Sequence, residues 1–334
     1  MYRLFLTNLL MLPFVWKYRH EMMRLNFRQW ALLLASGVML ALHFLLWMGS
    51  LRLTSVASST VILALEPILI LAGSVWLFKA KINRMMIIGM GIALLGSIAI
   101  GAVYLDLEKD LSAPVSTHGG RHPLPDPAAL ANRLAKAGIG SNARIIAYDD
   151  QGGMNASRLW WLLRYLGHEQ VYVMDEGFSA WQNAKFPVTT DVPVQIPASF
   201  EVNVQPGLLA SVEDVQQASA NGSAVLIDSR DARRYAGLEE PIDAKAGHIP
   251  GALDYFWKDV LDSEGRWTGV GSLEERFSKL DKDGAIIVYC GSGVSACPNV
   301  IALEEAGYTN VKLYSGSWSD WISYDENPVA TGEK

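Results

Sequence analysis

Two cysteines in 334 residues, Cys290 and Cys297, exclude a disulfide framework, and a pair seven apart with no neighbouring histidines supplies no zinc-ligand set. Acidic residues are missing from the start of the chain. Residues 1–105 hold nine Lys/Arg and only Glu21 and Glu66, which leaves 19 of the 28 basic and 32 of the 34 acidic residues for the remainder. The net charge of −6 is therefore the average of a basic apolar third and an acidic two-thirds, and it points to no nucleic-acid partner. The length suggests about two domains.

The basic third reads as membrane. Apolar stretches over about 30–50, 55–78 and 85–104 each approach the roughly 20 residues that a spanning helix needs. The shorter stretch 4–16 contains Asn8 and Pro13, lacks a small-residue cleavage site after it, and is read as a truncated span. Lys17, Arg19, Arg24 and Arg28 lie in one connection and Lys79, Lys81 and Arg84 in another, with only Arg52 between. Positive charge favours the cytoplasmic side, so parity places everything after the last span outside. His43 and the mid-span Glu66-Pro67 are ionisable or helix-breaking features at membrane depth. The run His43–Ser50 followed by Ser55–Leu77, with Leu65-Glu66-Pro67, resembles half of an EamA-type drug/metabolite transporter. Such transporters have ten spans in two repeats, so residues 1–104 form at most a fragment, with the lipid bilayer as its partner.

The remaining chain is organised around Ile286-Ile287-Val288-Tyr289-Cys290-Gly291-Ser292-Gly293-Val294-Ser295-Ala296-Cys297. Four β-prone apolar residues predict a buried parallel strand whose carboxyl end carries Cys290, and residues 298–306 predict a helix stopped by Gly307. Backbone amides of Gly291, Ser292, Gly293, Val294 and Ser295 curling round the sulfur, with the helix N-terminus behind them, favour a thiolate nucleophile. A cysteine at a strand end is most often a small core residue, but two glycines in the next three positions serve a loop that converges on the sulfur. Cys297 is expected to face the core from the helix.

An internal repeat precedes it. After a helix over 128–137 and a strand over 144–148, Ile145-Ile146-Ala147-Tyr148-Asp149-Asp150-Gln151-Gly152-Gly153 matches 286–294, and Gly167–Trp181 repeats the spacing of Gly307–Trp321. Asp149 stands where the second copy has Cys290, so the first loop lacks the thiol. The second copy also has an earlier half, Val225–Arg230 and Gly247–Ala252. In the first copy Gly101-Ala102-Val103-Tyr104 aligns with Gly251-Ala252-Leu253-Asp254, and everything upstream is membrane sequence. The first copy has therefore lost its opening strand and helix, which predicts a weakened first domain with apolar edges exposed.

Asp228-Ser229-Arg230, Gly247-His248-Ile249-Pro250-Gly251-Ala252, Cys290–Ser295 and Tyr314-Ser315-Gly316-Ser317-Trp318 together resemble the rhodanese superfamily, specifically the tandem-domain thiosulfate/3-mercaptopyruvate sulfurtransferases, across residues 101–334. The expected architecture is all-α membrane helices over 1–104, then α/β with two central parallel sheets: a truncated, silent domain over 105–195 and a complete catalytic domain over 196–334.

The resemblance implies that Cys290 takes a sulfane sulfur from a small-molecule donor and passes it as a persulfide to a thiol, thioredoxin or cyanide, with no cofactor and no metal. It implies Arg234 as the cation that binds the donor's anionic group, the 291–295 loop as substrate cradle, and Glu108 and His122 as first-domain contacts to the cleft. Arg233 reads as a surface charge. The second donor-binding arginine of the mercaptopyruvate branch would fall near Ile242, a departure that leaves the donor open. Cysteine phosphatases need Arg six residues after the nucleophile, where this chain has Ala296. A rival reading is a non-catalytic, poorly folded membrane product of two truncated parts.

Overall fold

The computed structural model describes residues 26–27, 102–186, 188 and 197–332, and the chain divides into two compact units between Gly101 and Ala102. The apolar stretches expected to span, with His43 and Glu66, lie outside the described residues except for 102–104. Among the described residues no helix is long and apolar enough to cross a membrane.

The first copy contains α1 (Pro127–Lys136), β1 (Ile145–Ala147), α2 (Met154–Tyr165), β2 (Val171–Val173) and α3 (Phe178–Asn183). Asp126 caps α1 by accepting from Ala129 N–H, and Pro127 opens the helix because that position needs no amide donor. β1 and β2 pair in parallel, Ile145 against Val171.

The second copy runs α4 (Val212–Asn221), β3 (Val225–Asp228), α5 (Ala232–Tyr235), β4 (Leu253–Asp254), α6 (Val270–Phe277), β5 (Ile286–Tyr289), α7 (Cys297–Glu305), β6 (Val311–Leu313) and α8 (Ser317–Trp321). Ser211 and Asp214 close a reciprocal capping box at the start of α4. The four strands form one parallel sheet in the order β4-β3-β5-β6. All four residues of β5 are buried, as a strand covered on both faces requires. Ile286 and Val288 face a core shared with α6 and α7, while Ile287 and Tyr289 face Val215, Trp318 and Trp321 on the other side.

Element ends shift by a residue from the sequence expectation. The helix expected over 298–306 is Cys297–Glu305 and that over 128–137 is Pro127–Lys136, because proline is tolerated in a first turn.

The first copy is packed on one face and open on the other. Trp160, Trp161, Leu162, Leu163 and Leu166 join Val300, Leu303 and Ala306 in one continuous core, so the two copies share their interior. On the outer side of β1 and β2, Ile146, Tyr148 and Tyr172 are exposed.

Candidate active site

Strand order places the site. β4 lies to one side of β3, whereas β5 and then β6 lie to the other, so the switch in winding falls between β3 and β5. Their carboxyl ends carry Asp228-Ser229-Arg230 and Cys290, at the crevice where open parallel sheets bind ligands.

Cys290 is 1 % exposed. Its Sγ accepts from Gly293 N–H at 3.2 Å, with Ser317 Oγ at 4.0 Å. Of the five loop amides expected to converge on the sulfur, Gly293 is the one that meets it. Gly293 has φ +78°, and a Cβ there would overlap the Ser315 carbonyl, so only glycine closes this turn. Ser317, held at φ 55° as a fully buried non-glycine residue, accepts from Cys290 N–H at 3.0 Å. Trp318 and Ser319 N–H donate to the Cys290 and Gly291 carbonyls. The start of α8 thus clamps the loop from behind.

Ser292 is buried, and its Oγ pairs with His122 Nδ1 at 2.7 Å; His122 Nε2 pairs with Glu108 Oε1 at 2.8 Å. The two first-domain residues expected at the cleft are therefore joined in series to the cysteine loop. Ser295 is half-buried and lines a cleft of about 980 Å³ with Arg230, Arg234, Trp257 and, from the first copy, Gln151, Gly152 and Met154.

Arg234 donates to both Glu240 oxygens (2.7 and 3.0 Å) and to Asp243 (3.0 Å), and its side chain is 16 % exposed. A Cβ on Gly291 would lie 3.6 Å from its guanidinium, so it faces the loop. Arg233 instead pairs with Glu239 at the surface. Ile242 is exposed and apolar. Arg230 is scaffold: it bonds Asp228 at 2.6 Å and the Gly247 carbonyl, and its guanidinium lies 4.6 Å from the Trp318 ring centre. Burial opposes that charge, but the Asp228 carboxylate holds it above the ordinary arginine range.

Cys297 is fully buried at the start of α7 and its thiol donates to the Gly293 carbonyl at 3.4 Å. Burial pushes it up to about 12, so at neutral pH it is a thiol and a packing residue.

Three residues of this neighbourhood were not singled out from the sequence: Arg158, Glu240 and Asp243. Arg158, on α2 of the first copy, is fully buried and donates to the carbonyls of Gly293 (3.1 Å) and His122 (3.2 Å). It ties the cysteine loop to the His122 segment, and burial pushes its guanidinium down against the pull of Cys297 and Cys290. The available signal was an arginine directly before the apolar run Leu159–Leu163 of α2.

The loop after β1 shows what the same scaffold does without a thiol. Asp149 Oδ1 accepts from Gln151 and Gly153 N–H and Oδ2 from Asn155 and Ala156 N–H, all at 2.8–2.9 Å. The cradle is filled by the chain's own carboxylate.

Residues 95–184 and 211–324 match the rhodanese-like domain family, and residues 1–102 match the EamA-like transporter family. A probable 3-mercaptopyruvate sulfurtransferase of Pseudomonas aeruginosa is 42 % identical over 238 residues, covering 70 % of this chain and 84 % of the relative. A putative thiosulfate sulfurtransferase of Mycobacterium tuberculosis is 36 % identical, covering 70 % and 82 %. Among solved structures, SseA from Escherichia coli is 34 % identical with a TM-score of 0.58, covering 66 % of this chain and 82 % of that one. Tum1 from Saccharomyces cerevisiae, 25 % identical, superposes with a TM-score of 0.63, covering 70 % and 84 %.

Proposed function

Because this chain belongs to the rhodanese-like family and is a sulfurtransferase, we propose that it moves the thiol sulfur of 3-mercaptopyruvate to a thiol acceptor, as the sulfane sulfur of a persulfide on Cys290. The Cys290 thiolate attacks the donor sulfur and an S–S bond forms. The donor's C–S bond breaks, its electron pair passes to carbon, and the resulting enolate takes a proton to become pyruvate. The donor's thiol proton supplies the proton that the carbon takes up, so the step is balanced with Cys290 left as a persulfide anion. A thiolate acceptor then attacks the outer sulfur and restores Cys290.

The observation that carries this reading is the series Ser292–His122–Glu108, which brings a proton-transfer path to the cysteine loop. Such a path serves a donor that must give up a thiol proton and whose leaving carbon must gain one. Thiosulfate needs neither, since sulfite leaves as a stable anion. The Gly293 amide stabilises charge on sulfur; a preorganised donor of this kind is worth about 3 kcal/mol in comparable sites. Arg234 holds the donor's carboxylate. Thioredoxin is the macromolecular acceptor that fits the reaction, and cyanide a small one.

A second reading keeps thiosulfate as donor, favoured by the mycobacterial relative. Turnover of the full chain with each donor separates the two. The expected result is a preference for 3-mercaptopyruvate that His122→Ala reduces, while thiosulfate turnover moves less. Equal loss with both donors would contradict the proton-path argument. The rival non-catalytic reading predicts no turnover dependent on Cys290.

The EamA-like match associates residues 1–102 with the membrane. We place the three spans at about 30–50, 55–78 and 85–104, with domain boundaries at 104/105 and 195/196 and the catalytic domain outside. Protease digestion of intact cells tests the side. Cleavage of the sulfurtransferase region without lysis is expected, and protection until lysis would put it in the cytoplasm.

A further inference from the structure

Arg121 enters the site from the first copy. Its segment is laid along α8: Gly119 N–H donates to Asp320 at 2.6 Å, Arg121 N–H donates to Ser319 Oγ at 3.1 Å, and Gly120, at φ +77°, packs on the Gly316 carbonyl. The next residue, His122, meets Ser292. Four consecutive residues of the first copy are thus fixed against the second.

The side chain completes the arrangement. Arg121 Nη1 bonds Asp243 Oδ1, whose other oxygen accepts from Arg234 at 3.0 Å. A Cβ on Gly291 would lie 2.8 Å from Arg121 Nη2 and 3.6 Å from the Arg234 guanidinium. Two guanidinium groups therefore flank the residue after Cys290, bridged by one buried carboxylate. Arg121 keeps 31 % of its side chain exposed and Arg234 16 %, while Asp243 keeps 4 %. Burial lowers the Arg121 guanidinium and the Cys290 charge opposes that, as expected of a cation half-sunk beside the sulfur. Among the described residues its Nε and Nη2 make no other side-chain hydrogen bond, so donors remain for a ligand. Ile242, where a second donor-binding arginine would be sought in the second copy, is 58 % exposed and has no polar group.

We propose that Arg121, contributed by the catalytically silent copy, is the second cation that anchors the donor's carboxylate beside Cys290, and that it sets the preference for a carboxylate-bearing donor. Resting on the sulfurtransferase reading above, this gives the truncated copy a direct part in substrate binding. A carboxylate held by Arg234 alone can pivot; held between two planar forks, it fixes the C–S bond relative to Sγ.

The test uses the full chain purified in detergent. Arg121→Gln and Arg121→Met, the second keeping the aliphatic stem, should raise KM for 3-mercaptopyruvate by about 10- to 100-fold with a smaller change in kcat, and Arg121→Lys should fall between. Alkylation of Cys290 supplies a readout free of turnover. The rate with anionic iodoacetate relative to neutral iodoacetamide should drop about tenfold in Arg121→Gln and Arg121→Met, with the iodoacetamide rate retained. An unchanged KM together with an unchanged alkylation ratio in both variants overturns the role of Arg121. Loss of the iodoacetamide rate along with the iodoacetate rate would mark a structural role and overturns it equally. Failure of the unsubstituted chain to turn over either donor overturns the proposed function instead, so the two failures are distinguishable.

Discussion

The loops after β1 and β5 share a sequence pattern, a strand of origin and a positive-φ glycine at the same position, Gly152 at +71° and Gly293 at +78°, yet they hold different groups. In the first, four amides close on the Asp149 carboxylate and the loop is saturated. In the second, Gly293 N–H is the amide that meets the sulfur, and the other loop residues turn to partners around it: Ser292 to His122, Gly293 by its carbonyl to Arg158 and Cys297. A carboxylate offers two oxygens with several acceptor directions and satisfies the cradle alone, whereas a single sulfur leaves capacity for a substrate anion. The first copy has become a structural element that lends His122, Arg158 and Arg121 to the second. One scaffold thus has two settings, a loop filled by its own carboxylate and a loop that holds a thiol.

The comparison breaks most completely if the reactive loop is turned into a copy of the silent one. Cys290→Asp should abolish turnover with either donor while far-UV circular dichroism is retained; residual turnover would mean that the sulfur is not carried at position 290. The next largest effect is expected at the join. Arg158→Met leaves the carbonyls of Gly293 and His122 without their donor and should cost about 2 kcal/mol or more of stability, measured by urea denaturation, with a loss of kcat as the loop and His122 separate.

Asp149→Asn sharpens the contrast from the other side. It sets an amide group against the Asn155 and Ala156 N–H groups and should lower stability by about 1–2 kcal/mol, while kcat/KM changes little. The smallest effect concerns Asp254, whose counterpart in the first copy is the exposed Tyr104. Burial, then the Asp228 carboxylate, pushes Asp254 up to about 6 from 3.8. Its folded-state value lies above the unfolded one, so its charge is a penalty fully present above about pH 6 and relieved as pH falls toward 4. Asp254→Asn should stabilise the fold slightly at pH 8, by less than about 1 kcal/mol because water still reaches part of this side chain, and flatten the pH dependence between 4 and 6.

What could be read from the sequence follows from what is local. Ile286–Tyr289 is a continuous apolar run because both faces of β5 are covered, and the Gly/Ser loop after it is visible because its glycine has a backbone reason to be there. The repeat makes the Asp149 and Cys290 loops comparable from the sequence alone. The join was not legible. Arg121 lies 122 residues from Asp243, and Arg158 lies 135 from Gly293, so nothing in the spacing announces either contact. The shared core was missed for a similar reason. A lost opening half suggested a weakened domain, but the apolar face of α2, from Trp160 to Leu163, is covered by α7 of the other copy. On the outer face Ile146, Tyr148 and Tyr172 are exposed.

The central claim is that the sulfur is carried on the cysteine of the second loop. The full chain incubated with 3-mercaptopyruvate, digested without reductant and weighed by mass spectrometry, tests it directly. One added sulfur atom on Cys290, removed by a thiol acceptor and absent after Cys290→Ser, is the predicted result. Added sulfur on Cys297, or on neither cysteine while pyruvate accumulates, would contradict it.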